Sequence, residues 1–126
     1  KEPKAYFFDS GYVKGDDGLR LENTCAACLL KHAQYLEDTS GEDVAVRYLR
    51  TRDGKEVDFG LCKEDRIVAL IEVKLTDAKP SPNLLYFHKK MPDVASLQLV
   101  QNLRREENVA GASVVSAGPW LSELEA

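Results

Sequence analysis

Apolar and polar positions alternate most regularly in the middle of the chain. VAVRYLRTR (44–52) and EVDFGLC (56–62) both alternate, and Asp53-Gly54 lies between them. Asp-Gly between two alternating runs predicts a hairpin with a type I′ turn, whose central residues both need positive φ. Alternation then sets Val57, Phe59 and Leu61 on a core face and Asp58 with Glu56 on the other. A short polar turn, Lys63-Glu64-Asp65, leads to a third strand over 66–75. Its run Ile67-Val68-Ala69-Leu70-Ile71 is apolar at every position, as in a central strand covered on both faces.

Other segments follow a helical period. Leu21, Cys25, Cys28, Leu29 and Leu36 recur near helical spacing in a stretch without Pro or Gly, which predicts a helix over 19–37. Pro80 and Pro82 break the chain and open a second helix, 83–90, that stops before Pro92. The aromatic segment 4–9 (KAYFFD) reads as a strand, 11–19 as a glycine-rich loop, 96–103 and 112–115 as strands, and Pro119 as the start of a short helix carrying Trp120 and Leu124. The order β-loop-α-β-β-β-α-β-β-α predicts an α/β fold: a mixed sheet flanked by helices.

A length of 126 residues suits one domain, 1–126, and is too short for two ordinary ones. Because residue 1 is Lys rather than Met, we expect a fragment of a longer polypeptide. With 44 % hydrophobic and 30 % charged residues the chain reads as globular, and no apolar run is long enough to cross a bilayer. Three cysteines, an odd number, argue against a secreted disulfide framework and lead us to expect a cytoplasmic protein. The net charge of −4 offers nucleic acid no general attraction, so contact would need a local patch. Arg47, Arg50, Arg52 and Lys55 form one around the hairpin, and a solvated turn explains them as well.

The chemistry concentrates at Asp58 and at Glu72-Val73-Lys74. Glu72 and Lys74 project from one side at the end of the most apolar strand, where charges persist only if paired or bound to something. Asp58 and Glu72 each lie seven residues from Asp65, so a tight turn there sets them nearly opposite. Two carboxylates that close repel unless a cation separates them, and Mg²⁺ suits such hard oxygen ligands. Lys74 would orient or deprotonate a water attacking phosphorus.

The order Glu22, Asp58, Glu72-x-Lys74 resembles the PD-(D/E)xK nuclease superfamily, which has a restriction-endonuclease-like core. The resemblance implies Asp58, Glu72 and Lys74 as catalytic residues acting on DNA with Mg²⁺ or Mn²⁺. It also implies Asp58, Glu72, the Val73 carbonyl and Glu22 as metal ligands or water-positioners. The superfamily's leading proline is replaced here by Val57. More closely, KAYFFDSG, LENTCAACLL, RTRDGKEVDFGL and ALIEVKLT resemble the uncharacterised domain that follows AAA-type ATPase modules in bacteria and archaea. That implies an ATPase module as partner, and either a nuclease or a catalytically silent module that binds nucleic acid or protein. Arg50, Arg52 and Lys55 are the expected nucleic-acid contacts.

Weaker features keep simpler readings. Glu22 serves equally as a helix-start residue facing the macrodipole. Cys25, Cys28 and His32 share a helical face, and Cys62 completes a Cys₃His set on paper. Structural zinc sites usually draw ligand pairs from loops, so no zinc is expected. Three cysteines are one short of an ordinary iron–sulfur cluster.

Overall fold

A computed structural model describes residues 17–124 and the backbone of a two-residue strand, β1 (Lys4–Ala5). The rest of the strand expected over 4–9, and residues 11–16 of the expected loop, lie outside the described residues. Helix α1 (Asp17–Ser40) starts before the predicted boundary, so the end of the expected loop is helical. Asp17 in the first turn complements the positive end of the helix macrodipole, which offsets the cost of Gly18. The helix also outlasts its prediction. The hydroxyls of Thr39 and Ser40 donate to the carbonyls of Tyr35 and Leu36 at 2.7 and 2.8 Å, so these residues fit the last turn.

Strands β2 (Val44–Arg50), β3 (Glu56–Lys63) and β4 (Arg66–Lys74) form an antiparallel meander. Its two turns depart from the sequence reading. In the β2–β3 turn the Gly54 amide donates to the Thr51 carbonyl at 3.1 Å, and Gly54 has φ 90° while Asp53 keeps negative φ. This is a three-residue loop closed by a left-handed glycine, not a type I′ turn. Thr51 Oγ1, which accepts the Lys55 amide at 3.0 Å, supports the longer loop. Positive φ at two successive residues occurs instead at Glu64 (52°) and Asp65 (67°), between the paired Lys63 and Arg66.

Helix α2 (Pro82–Lys90) then crosses to the parallel strand β5 (Ala95–Val100). Ser81 caps it by accepting the Leu84 amide at 3.1 Å, and Pro82 occupies the first turn, where its missing N–H costs nothing. β6 (Glu107–Val109) and β7 (Ala112–Ser116) form a hairpin, and α3 (Ala117–Ser122) ends the fold. Sequence patterning missed β6 because all its residues are exposed and no apolar alternation marks it. β5 ends at Val100, short of the predicted 103. α3 starts two residues before Pro119, since proline is tolerated throughout a first turn.

Among the described residues seven strands order as β1-β2-β3-β4-β5-β7-β6 in one mixed sheet, parallel where β4, β5 and β7 adjoin. This is an α/β fold. α1 and α3 cover one face, with Cys25, Leu29, Phe59, Ile71 and Leu99 fully buried in that cluster. α2 covers the other, packing its own Leu84 and Phe87 over Leu49, Val57 and Leu70. Each fully buried side chain of this size contributes about 1.5–3 kcal/mol of transfer free energy.

Val57 and Phe59 therefore lie in opposite clusters, against the simple alternation expected of β3. The cause is a bulge. Arg47 pairs with Gly60 and Leu49 with Val57, which leaves Tyr48 alone opposite both Asp58 and Phe59. A bulge inserts one residue, breaks the two-residue period and re-aims the side chain it carries.

Candidate functional site

The residue re-aimed by the bulge is Asp58. The β3–β4 ladder runs out to the pair Phe59–Ile71, and one step further Asp58 and Glu72 stand across from each other. There the backbone amides turn to side chains. The Asp58 amide donates to Glu72 Oε1 at 3.0 Å, and the Val73 amide donates to Asp58 Oδ2 at 2.9 Å. Each carboxylate thus receives an amide from the opposite strand, where sheet pairing has ended.

Two more side chains adjoin this interlock. Lys74 Nζ stands 3.7 Å from Glu72 Oε2; the lysine side chain is 36 % exposed and the glutamate side chain only 9 %. Glu22 reaches over from α1 into hydrogen-bonding range of Asp58, a contact that one of the two carboxyls makes by holding a proton. The fold thus gathers Glu22, Asp58, Glu72, the Val73 backbone and Lys74, drawn from three separate elements.

Burial dominates the electrostatics. It raises the Asp58 carboxyl above its ordinary value despite the Val73 amide, the Glu22 hydrogen bond and the Lys74 charge, which all pull it down. Burial, reinforced by the negative charge of Asp58, pushes the Glu72 carboxyl up to about 7. Two desolvated carboxylates facing one half-exposed ammonium form a pocket short of positive charge. The donor chemistry fits a hard divalent cation, which takes carboxylate oxygens and retains some water. Among the described residues, however, no three His, Cys, Asp or Glu side chains are gathered closely enough to hold an ion by themselves.

Gln98, which sequence reading passed over, supports the site. It lies beside Glu72 in the parallel β4–β5 register and is fully buried. Its Oε1 accepts the Ser81 amide at 2.9 Å, and its Nε2 donates to the carbonyls of Asp77 and Lys79 at 3.0 and 2.6 Å. It thereby ties down the loop that leaves Lys74. The available signal was a lone amide inside the apolar stretch LQLV.

Arg50, Arg52 and Lys55 stand at the β2–β3 tip, at the end of the sheet where β4 finishes, rather than inside the cluster. Arg50 and Arg52 are exposed. Lys55 pairs with Asp53 at 3.0 Å and lies 4.9 Å from the centre of the Tyr86 ring, with Lys90 Nζ at 5.6 Å from the same ring. Sequence reading missed Tyr86 as the aromatic partner of these cations. Cys25 and Cys62 are buried, Cys28 is half-buried, and all three are free thiols. Burial, with the neighbouring Cys28, Asp58 and Glu22, pushes the Cys25 thiol up to about 12.

A mixed α/β sheet with an acidic pocket at the end of its central strand is the class of protein that this geometry defines. Residues 17–119 match the family model described as a domain of unknown function, DUF4143, and the chain belongs to that family. Domains of this family are often found after AAA-type ATPase modules. No curated protein and no solved structure matches the chain. Among the described residues no helix is long and apolar enough to cross a membrane.

Proposed function

We propose that this domain is a divalent-metal-dependent nuclease-like module of the PD-(D/E)xK type that acts on or binds DNA, as an accessory to an AAA-type ATPase. The observation that carries this reading is the interlock of Asp58 and Glu72 with Lys74 beside it. Oxygens of Asp58 and Glu72 and the Val73 carbonyl would hold Mg²⁺ or Mn²⁺, with Glu22 supporting Asp58 from α1. A metal there would supply Lewis-acid chemistry to a phosphate and lower the pKa of a water. Lys74 would orient the attacking water, take its proton when neutral, or offset phosphate charge when protonated. Arg50, Arg52 and Lys55 at the hairpin tip supply phosphate contacts beside the site.

A second reading draws on different observations. No set of three side-chain ligands is gathered among the described residues, and the net charge is −4. Both favour a catalytically silent module that binds nucleic acid or protein for the ATPase. Calorimetric titration with Mg²⁺ and Mn²⁺, alongside a cleavage assay on single- and double-stranded DNA, separates the two. A nuclease binds metal and cuts. Lys74→Ala then stops cutting while metal binding survives, because the lysine acts on water rather than on the ion. If neither metal binds at millimolar concentration, the nuclease-like reading fails.

A further inference from the structure

The end of the sheet that carries the acidic pocket also gathers arginines, and they come from both sides of it. On one side β2 runs out at Arg50, and the β2–β3 loop adds Arg52. On the other side the chain leaves β5 at Val100. The amides of Gln101 and Asn102 donate to the carbonyls of Lys74 and Leu75 at 3.1 and 2.8 Å, so this exit continues beside the finish of β4. Glu106 then reaches back to the finish of β7, where its Oε2 accepts the Ser116 amide at 2.9 Å. Arg104 and Arg105 lie between these two anchors, and hence at the same end of the sheet as Glu72 and Lys74. All four arginines are exposed, and among the described residues none has a carboxylate within ion-pair distance. Nearby acids are already engaged: Asp53 by Lys55, Asp77 by the Lys79 amide and Glu106 by Ser116. At the opposite end of the strands Arg66 is outnumbered by exposed Asp43, Glu64, Asp65 and Asp93. A chain of net charge −4 thus sets a basic rim at the end that holds the pocket. Such segregation draws a polyanion to one surface in spite of the overall charge.

Spacing decides what kind of polyanion fits. From the β2–β3 loop to the exits of β5 and β7 is three strand spacings, about 14 Å. A B-form strand advances about 3.4 Å per nucleotide, so the two arginine pairs stand roughly four nucleotides apart, too far for one nucleotide to bridge. A guanidinium fork matches phosphate oxygens two at a time, and phosphates repeat along a strand, so one strand can serve both flanks and the pocket between them. We propose that a DNA strand lies across this end of the sheet. Arg50 and Arg52 hold its backbone on one side of the pocket, Arg104 and Arg105 hold it on the other, and the phosphate between them is presented to Asp58, Glu72 and Lys74. The inference rests on the nuclease-like reading above and adds the strand's course and its second anchor.

Binding is read by fluorescence anisotropy with a fluorescein-labelled DNA duplex, in EDTA so that no cutting intervenes, over a series of salt concentrations. Two double variants test the two flanks: Arg50→Gln with Arg52→Gln, and Arg104→Gln with Arg105→Gln. Each should weaken binding by about tenfold or more at low salt. Each should also lower the slope of log affinity against log salt by about two, the loss of two phosphate contacts. A control pair, Lys31→Gln with Arg66→Gln, removes equal charge from exposed positions in the middle of α1 and at the opposite end of the sheet, and should bind as the wild type does. Melting temperatures should not fall, because all six side chains are exposed. No binding by the wild type, or indifference of either flanking pair, would overturn the proposal. So would an equal loss in the control pair, which assigns the effect to net charge. Displacement of the duplex by poly-glutamate at equal charge would also overturn it, marking the rim as a seat for acidic protein. Failure of the nuclease reading looks different. A domain that binds no metal, yet loses affinity through both flanking pairs, keeps the rim as a DNA track. A domain that cuts with unchanged KM in both flanking variants keeps the reaction and loses the track.

Discussion

The backbone amide of Asp58 donates to the side chain of Glu72 at 3.0 Å, one residue beyond the last ladder pair between their strands. Glu72 thus serves the backbone of β3 as well as any cation, and Asp58 serves β4 in the same way through the Val73 amide. Substitutions here remove an acceptor together with a charge, and the two effects have opposite signs.

Asp58→Asn keeps an oxygen for the Val73 amide and removes the repulsion between two buried carboxylates. We expect its melting temperature in EDTA to exceed the wild type's by a few degrees, while heat on Mg²⁺ titration disappears. Asp58→Ala leaves that amide without its acceptor, at a cost of about 1–3 kcal/mol. It should melt below Asp58→Asn. Scanning calorimetry of the pair checks this ordering, and equal melting temperatures would show that the hydrogen bond contributes nothing.

The raised carboxyls make the metal-free protein pH-sensitive. Glu72 titrates near 7 when folded and near the ordinary glutamate value when unfolded, so between those values the folded state holds the extra proton. Stability from this group is therefore fully present at low pH and falls as pH rises towards about 7; Asp58 shifts in the same direction. The loss should be on the order of 1–3 kcal/mol. Melting in EDTA at successive pH values should show it, and Glu72→Gln should flatten most of it. Mg²⁺ should restore stability more at pH 8 than at pH 5.5, because binding requires deprotonated ligands.

Thiol chemistry distinguishes the three cysteines. Cys25 is fully buried with its thiol pushed up to about 12, and Cys62 is buried, whereas Cys28 is half-buried. Native protein should release one equivalent with an aromatic disulfide reagent, traced to Cys28 by Cys28→Ser, and three equivalents after denaturation. Rapid modification of Cys25 in the native state would contradict its burial between α1 and the sheet.

Gln98 is expected to matter more than its neutral side chain suggests. Gln98→Leu preserves volume but strips partners from the Ser81 amide and from the Asp77 and Lys79 carbonyls. The cost should be about 2–4 kcal/mol if those groups stay buried, and less if the loop opens to water. Hydrogen exchange at Ser81 separates the outcomes. A rate unchanged from wild type would mean that the loop holds itself.

Much of this arrangement was legible in the sequence, because strand pairing through a tight turn is local. Counting outward from the turn at Glu64 and Asp65 would set Asp58 across from Ile71; a one-residue shift in the ladder, which leaves Val68 unpaired between Ile67 and Ala69, brings Glu72 there instead. The apolar run Ile67–Ile71 required cover on both faces, and Ser81-Pro82 announced the start of α2. The bulge could not be read this way. Whether Tyr48 faces one residue or two depends on fitting Val57 into the α2 cluster and Phe59 into the α1 cluster, and packing energy across both faces decides that. Without the bulge, the alternation written in EVDFGLC would turn Asp58 away from α1 and Glu22. The Gln98 contacts lie 17 to 21 residues away in the chain, so no window of sequence contains both partners. The sequence by itself determined the residue types and the order and pairing of the central strands. Only the tertiary structure decided their aim, their burial and hence their charge, because desolvation depends on everything packed around a group and not on its neighbours in the chain.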